Sequence, residues 1–458
     1  MSTITSFRYP ASLPRSGDYK LTINGVAVEV LAADGMAFAN FVVHECGRPI
    51  EVAVRCPVWL DSSAAATLRP LSAGLRAAWE GDTLVFKMPA PGKVVLEIDN
   101  LPLLCLWANA PEENPPSPGD KGVQYFRAGQ SYDVGLMEMS DHETLYIEGG
   151  AVVRGRLHVK GRTGVTVRGQ GIFDGSFFSP HDGHMVPSLF FERCRDVLVR
   201  DITVIRPSGW MLVLGCCEGV RVENLKELGS AMCSDGVDIV GSRHVHIRDC
   251  FIRNNDDCFA IKALDLGPNN LTGTRADLRE CPEDILVEDC IIGNGPCGSA
   301  MTIGHELDVD RVGEVTFRNI DVLFVHGTGG VFAIQNCGRA SVENVLYENI
   351  RIEHCYEKFI DFRITCSHWA DGEERGSVRG VVLRDVHWHQ TKYNPGYTIS
   401  VIGGWDPDHR IDDVLLENIR VNDKHLGSLD DLELYTRHTT GLLFAFPKKH
   451  TSLTYKNL

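Results

Sequence analysis

Residues 234–262 read SDGVDIVGSRHVHIRDCFIRNNDDCFAIK, and their internal spacing decides the fold. Asp235 and Asp238 stand on one short segment, and the adjacent pair Asp256–Asp257 opens the next, 21 residues after Asp235. Between them VHIRDCFIR (245–253) alternates apolar and polar residues, the period of a strand buried on one face. One coil of a parallel β-solenoid takes about 20–30 residues, so carboxylates one coil apart stack on the same face. Packed carboxylates repel, and one of them then keeps its proton near neutral pH. A proton donor beside ionised carboxylates is the equipment for acid–base cleavage of a glycosidic bond.

The solenoid reading extends well beyond this stretch. A hexad with apolar residues at positions one, three and six, Arg or Glu at four and Asn or Asp at five recurs eight times. It reads VLVRDI at 197, VRVENL at 220, VHIRDC at 245, ILVEDC at 285, VTFRNI at 315, VLYENI at 345, VVLRDV at 381 and VLLENI at 414. Successive starts differ by 23, 25, 40, 30, 30, 36 and 33 residues, so each coil keeps its strand and varies its loops. The Asn/Asp at position five reads as a stacked turn residue satisfying backbone groups. A second series of short strands falls between the hexads: 209–215, 235–241, 256–262, 299–305, 330–336 and 358–364. This second series is expected to form the sheet whose outer face makes a cleft.

Residues 1–107 lack the hexad and carry alternating runs at 19–30 and 82–99, which predict an antiparallel β-sandwich. The segment 108–122 holds four prolines and reads as a stiff linker. The expected fold is therefore all-β: sandwich 1–107, linker 108–122, and a right-handed parallel β-helix over 123–458. The net charge of −16 argues against nucleic acid, whose phosphates demand a basic surface. No run approaches the roughly 18 apolar residues of a membrane span. The N-terminal residues lack the apolar core of a secretory signal, which points to the cytoplasm. The 15 cysteines, odd in number and partly at hexad position six (Cys250, Cys290), read as reduced core thiols. No spacing suggests zinc, and no metal or cofactor is implied; water is the second substrate. Oligomeric state is not legible.

These residues carry a family resemblance. SDGVD resembles the NTDGID segment of the family 28 glycoside hydrolases, the polygalacturonases, and NDDCFAIK resembles their GDDCIAIK. A sandwich preceding a β-helix is similar to the arrangement of the family 49 dextranases. The resemblance spans about 120–430 and implies a pectin-lyase-like solenoid and an inverting hydrolase of poly- or oligosaccharides. By analogy Asp256 is the general acid, while Asp235 and Asp257 position and deprotonate water. Inversion goes with a wide acid–base separation, about 6.5–9.5 Å. Two departures stand out. The family's GHG histidine is either His305 or, if TIGHE is laid on the common TIGSE, falls on Gly298 and is absent. The family's RIK cations, which bind a substrate carboxylate, are replaced in GGVFAIQN, where Gln335 stands. A carboxylate without a cation is poorly held in such a site, which favours a neutral sugar. Arg363, one coil on, is the residue that could restore a cation.

Asp238 is either a cleft residue or a buried structural carboxylate. Lys262 is either a sugar ligand that depresses a neighbouring carboxylate's pKa or a solvated strand end. Trp405 and Trp210 are candidate sugar platforms, Trp210 also a core residue. The long connection 264–284 is expected to wall one end of the cleft and favour exo-action on short chains. Three functions stay open: the hydrolase, on a neutral glycan or on galacturonan; a lyase or epimerase, disfavoured by the acid-rich, cation-poor motif; and a non-catalytic glycan-binding β-helix.

Overall fold

The computed structural model describes residues 4–446 except 45–46, 58, 61–63, 179–185, 268–274, 371 and 391–397. It is almost entirely β. A continuous sheet system of 30 strands runs from Val123 to Ala445, each coil pairing in parallel with the next. The eight hexads align without slippage: Val197 pairs Val220, then Val245, Ile285, Val315, Val345, Val381 and Val414. Positions one, three and six point inward. Val315, Phe317 and Ile320 are fully buried, and Phe317 stacks on Tyr347 one coil on, centroids 5.2 Å apart.

Position four follows a rule of its own. Down the column it reads Arg200, Glu223, Arg248, Glu288, Arg318, Glu348, Arg384, Glu417, so opposite charges alternate. Several neighbours pair, among them Arg318 with Glu288 at 2.5 Å and Arg384 with Glu417 at 2.6 Å. Position five is a corner: Asp201, Asn224, Asp249, Asp289, Asn319, Asn349, Asp385 and Asn418 all have φ between 52 and 67°. Asn and Asp tolerate that left-handed conformation best among non-glycine residues. Their side chains bond to one another rather than only to backbone: Asn224 Nδ2 donates to Asp201 at 2.8 Å and Asn349 Nδ2 to Asn319 at 3.1 Å. The residue before each hexad turns the same way, although its identity varies: Asp196, Gly219, His244, Asp284, Glu314, Asn344, Gly380 and Asp413.

The N-terminal residues form two sheets face to face over a shared core of residues such as Phe41, Leu106, Val52 and Leu84. One sheet departs from the antiparallel expectation, since Leu104–Asn109 pairs parallel with Met36–Val43. Asn24–Gly25, both at positive φ, closes the hairpin between Lys20–Ile23 and Val26–Val28. The Pro-Gly turn at 91–92 carries the chain from one sheet to the other, Thr83–Met88 and Gly92–Ile98 lying in different sheets. The outer face of the first sheet packs on the solenoid through Phe38 and Trp107, which meet Ile205, Leu228 and Phe251. Lys93 pairs with Asp249 at 2.6 Å, Arg69 with buried Glu353, and Asp34 accepts from Ser230 Oγ at 2.9 Å and Arg206 N at 2.8 Å. The proline-rich stretch lies against the first coils, where Tyr146 donates to Glu112 at 2.7 Å. All described cysteines are free, and no described helix is long and apolar enough to cross a membrane.

The corner column generates a test. Asn319→Ala puts a Cβ-bearing residue with no local hydrogen bond at φ 54°, whereas Asn319→Gly relaxes there. Both lose the side-chain ladder, so urea unfolding should show Ala less stable than Gly by about 1 kcal/mol, the reverse of their order in a helix.

Candidate active site

The cleft face belongs to the strands Val237–Val240, Phe259–Ala263, Met301–Leu307, Gly330–Asn336, Lys358–Ile364 and Ile399–Gly403, stacked in that order. Asp235 precedes the first and Asp256–Asp257 the second. Because Val237 pairs with Phe259, Asp235 lies in register with Asp257. One carboxylate oxygen each from Asp235, Asp256 and Asp257 lies within 4.8 Å of the others. The chain bends at Asp256, and the Asp257 N–H donates to Asp256 Oδ1 at 2.9 Å. That turn lets adjacent side chains share a face that a regular strand would deny them.

Each acid is held differently. Asp257 Oδ1 accepts from Ser299 N at 2.6 Å and Thr302 Oγ1 at 2.9 Å, both on the next coil. Asp235 Oδ2 accepts from Lys262 Nζ at 2.8 Å, and the same ammonium lies 2.8 Å from Asp238 Oδ1. Lys262 is buried, not solvated, and its ammonium sits 4.3 Å above the Trp210 ring. Trp210 is thus a floor for Lys262 and packs with Phe190, Val213 and Leu278. Asp238 is wholly buried beneath the cluster.

Burial, reinforced by Asp235, pushes the Asp256 carboxyl up to about 8 and the Asp257 carboxyl up to about 7. Burial raises Asp238 well above the carboxylate range, against the pull of Lys262. Burial works against charge on Lys262 as well, yet Asp235 and Asp238 hold its ammonium strongly protonated. The cluster therefore keeps a proton at neutral pH, as stacked acids must. Three oxygens so close could grip a cation. Lys262 already supplies one positive charge there, and protons retained on the raised carboxyls offset more of the negative charge.

His305 lies at the far end of its strand from these acids. Between Ile303 and Leu307 the chain spends two residues more than Ile261 to Ala263 opposite, and this bulge carries His305 and Glu306 to the cleft rim. His305 Nδ1 is 3.8 Å from Cys337 Sγ, and burial, then Lys262 and Arg363, depress its pKa to about 4, leaving it neutral. Gly298 touches the acids directly: a Cβ there would fall 2.2 Å from Asp257 N, and its φ is +66°. No larger residue fits at 298, and the next residue, Ser299, makes the contact to Asp257. Gln335 and Arg363 both turn to buried Asp361. Gln335 Nε2 donates to Oδ2 at 2.8 Å, and Arg363 grips both carboxylate oxygens at 2.5 and 2.8 Å. Arg363 is thus a neutralised cation. Trp405 stands at the C-terminal end of the cleft, two residues past Gly403.

Sequence reasoning missed Ser299, Thr302, Glu306 and Asp361. Asp361 alone left a trace, two residues before Arg363 on a strand of period two. The acid spacing also differs from expectation. Oxygens within 4.8 Å are closer than the wide separation associated with inversion. Register is the reason, since neighbouring coils stand only about 4.8 Å apart.

A profile of glycosyl hydrolases family 28 matches residues 152–392. A polygalacturonase of Chamaecyparis obtusa is 23% identical over 212 residues, 45% of this chain and 38% of the relative, so the match spans well under half of that protein. Among solved structures, Dex49A of Penicillium minioluteum superposes with a TM-score of 0.62 at 12% identity, covering 97% of this chain and 96% of that one. A family 28 exopolygalacturonase of Yersinia enterocolitica gives 0.51 at 10% identity, covering 87% and 96%. These two share the fold with this chain. With the family profile covering more than half its length, including all three clustered aspartates, the chain belongs to glycosyl hydrolases family 28.

Proposed function

We propose that the protein hydrolyses a glycosidic bond of an oligo- or polysaccharide with inversion, Asp256 protonating the leaving oxygen. The observation that carries this is the raised Asp256 carboxyl beside Asp235 and Asp257. Asp256 is the least buried of the three and so the one a substrate oxygen reaches. Asp235 and Asp257 each have one oxygen tied, to Lys262 and to Ser299 with Thr302. Their other oxygens are the natural grip for a water. Inversion is supported by this shared grip and by the family resemblance, whereas the short acid spacing is the kind usually paired with retention. The product anomer decides between them.

The sugar beside the scissile bond is proposed to be neutral. At the register positions facing the cleft stand Ala333 and Gln335, and Arg363 is spent on Asp361. A uronate carboxylate buried there would lack a free counter-charge. Galacturonan is the second reading, favoured by the name of the Chamaecyparis relative. A panel of galacturonan, dextran, galactan and arabinan oligosaccharides, with product anomers followed by proton NMR, separates the two. A neutral chain is expected to be cleaved with inversion; cleavage of galacturonan alone, or retention, overturns the corresponding half of the proposal.

Asp256→Asn should lower kcat by about 10²–10⁴, the usual worth of a general acid. A variant within tenfold of the parent contradicts the role. The rate should fall as pH rises through about 8, where Asp256 loses its proton. Lys262 lowers the Asp256 pKa, so Lys262→Met should move that alkaline limb to higher pH. Stability has its own sign. A carboxyl whose folded pKa exceeds its unfolded value of about 3.9 binds more protons when folded, so it costs stability as pH rises toward about 8. Asp256→Asn removes that cost, and its melting temperature relative to the parent should be higher at about pH 9 than at about pH 5.

A further inference from the structure

The cleft face has two unlike ends. On the N-terminal side its outward residues Phe190, Val213 and Val240 are covered by Leu266, Ala276 and Leu278 of the long connection after Lys262. Arg193 pairs with Glu280 to fasten that cover. Toward the C-terminal side exposure returns by steps: Thr302, Ala333, Asp361 and Gln335 are buried, Arg363, Val401 and Gly403 half-buried, and Tyr435 and Arg437 exposed. Gly304 pairs with Gln335, then Arg363, Gly403 and Arg437 in one outward column, while Thr302, Ala333, Asp361, Val401 and Tyr435 form the column beside it.

Gly403 leaves a bare patch in that floor, since a Cβ there would meet only Val401 Cγ1, at 3.7 Å. Two exposed aromatic residues lie nearby in the chain and the pairing: Trp405, two residues on, is 42% exposed, and Tyr435, opposite Val401 on the next coil, 60%. Trp405 is a braced ring. The Arg375 guanidinium lies 5.0 Å from its centroid and donates to the carbonyls of Cys337, Gly372 and Glu374. Cys337 in turn touches His305. His305, Cys337, Arg375 and Trp405 therefore make a chain of contacts along the strand ends opposite the acids, from the coil of His305 to the last coils of the floor. Four coils separate Lys262 from Gly403, roughly 19 Å at the usual strand spacing.

We propose that the glycan lies along this floor from the acids toward the C-terminal coils, with Trp405 and Tyr435 forming a distal subsite for a neutral pyranose. A flat apolar ring covers the C–H face of a sugar, and the glycine gap gives the sugar ring its place. A chain that reaches both the acids and Trp405 spans about four coils, and each pyranose is about as long as one coil is high. The covered end fixes the polarity: substrate extends one way only, which suits removal of units from a chain end. This rests on the hydrolase reading above for its direction of attack, but the binding track is separable from it.

The test uses neutral gluco- and galacto-oligosaccharides from dimer to hexamer. For the full chain kcat/KM is expected to climb with length, and Trp405→Ala should cut the hexamer-to-dimer ratio about tenfold, the size of one aromatic contact. Trp405→Phe should keep most of the ratio, which separates a lost platform from a misfolded loop. Calorimetry with the Asp256→Asn protein reads the same series without turnover. A ratio unmoved by Trp405→Ala, or hexamer bound no more tightly than dimer, overturns the track. Length-graded binding by a parent protein that cleaves neither this series nor galacturonan keeps the track and overturns the hydrolase.

Discussion

In-register parallel stacking is the constraint from which the cleft follows. Each coil presents its residues directly above those of the coil before, about 4.8 Å away. On the interior this places apolar residue on apolar residue, Phe317 on Tyr347. On the cleft face it places Asp235 beside Asp257 and adds Asp256 through a tight turn. Unpaired, that many carboxylates in a buried sheet would be costly. The structure answers with a single ammonium, Lys262, 2.8 Å from both Asp235 and Asp238. One positive charge among four acids leaves protons to be retained, and Asp256 holds one near neutrality. The acid needed for catalysis is thus a consequence of the stacking.

Register must be fixed for this to work, and the back of the solenoid fixes it. A slip of one whole coil leaves the apolar pattern intact, so burial alone does not forbid it. The alternating column of Arg200, Glu223, Arg248, Glu288, Arg318, Glu348, Arg384 and Glu417 does, because the slipped column would set like charge against like. Each exposed pair contributes little by itself. Their combined effect is on specificity, with the corner ladders of Asn and Asp reinforcing it. The sandwich adds a brace near the site, since Asp34 holds Ser230 Oγ and the Ser230 carbonyl accepts from Asn255, the neighbour of Asp256.

Much of this was legible in the sequence because the hexad repeats its chemistry at every coil. Val, Asn/Asp and the apolar sixth residue mark the strand, the left-handed corner and the core. The corner before each hexad was not legible, because Asp, Gly, His, Glu and Asn all serve there and backbone geometry alone unites them. The acids were legible as a group, and the ties that set their protonation were not. Ser299 and Thr302 come from the next coil, and nothing in the sequence ties Asp361 to Gln335 on the coil before. The His305–Glu306 bulge is a register event, invisible in composition. Reading Arg363 as an available cation failed for the same reason: the sequence names a charge without naming its counter-charge.

The chemistry of the cleft depends on the acid cluster keeping a proton at neutral pH. Isotope-edited infrared titration of the Asp carboxyl bands, with Asp256→Asn to assign the signal, reads that proton directly. A protonated carboxyl is expected to persist through about pH 7, to titrate near 8 and to be missing from Asp256→Asn. Complete ionisation of every cluster carboxyl below about pH 5 would contradict it, leaving the protein without the acid on which its proposed chemistry depends.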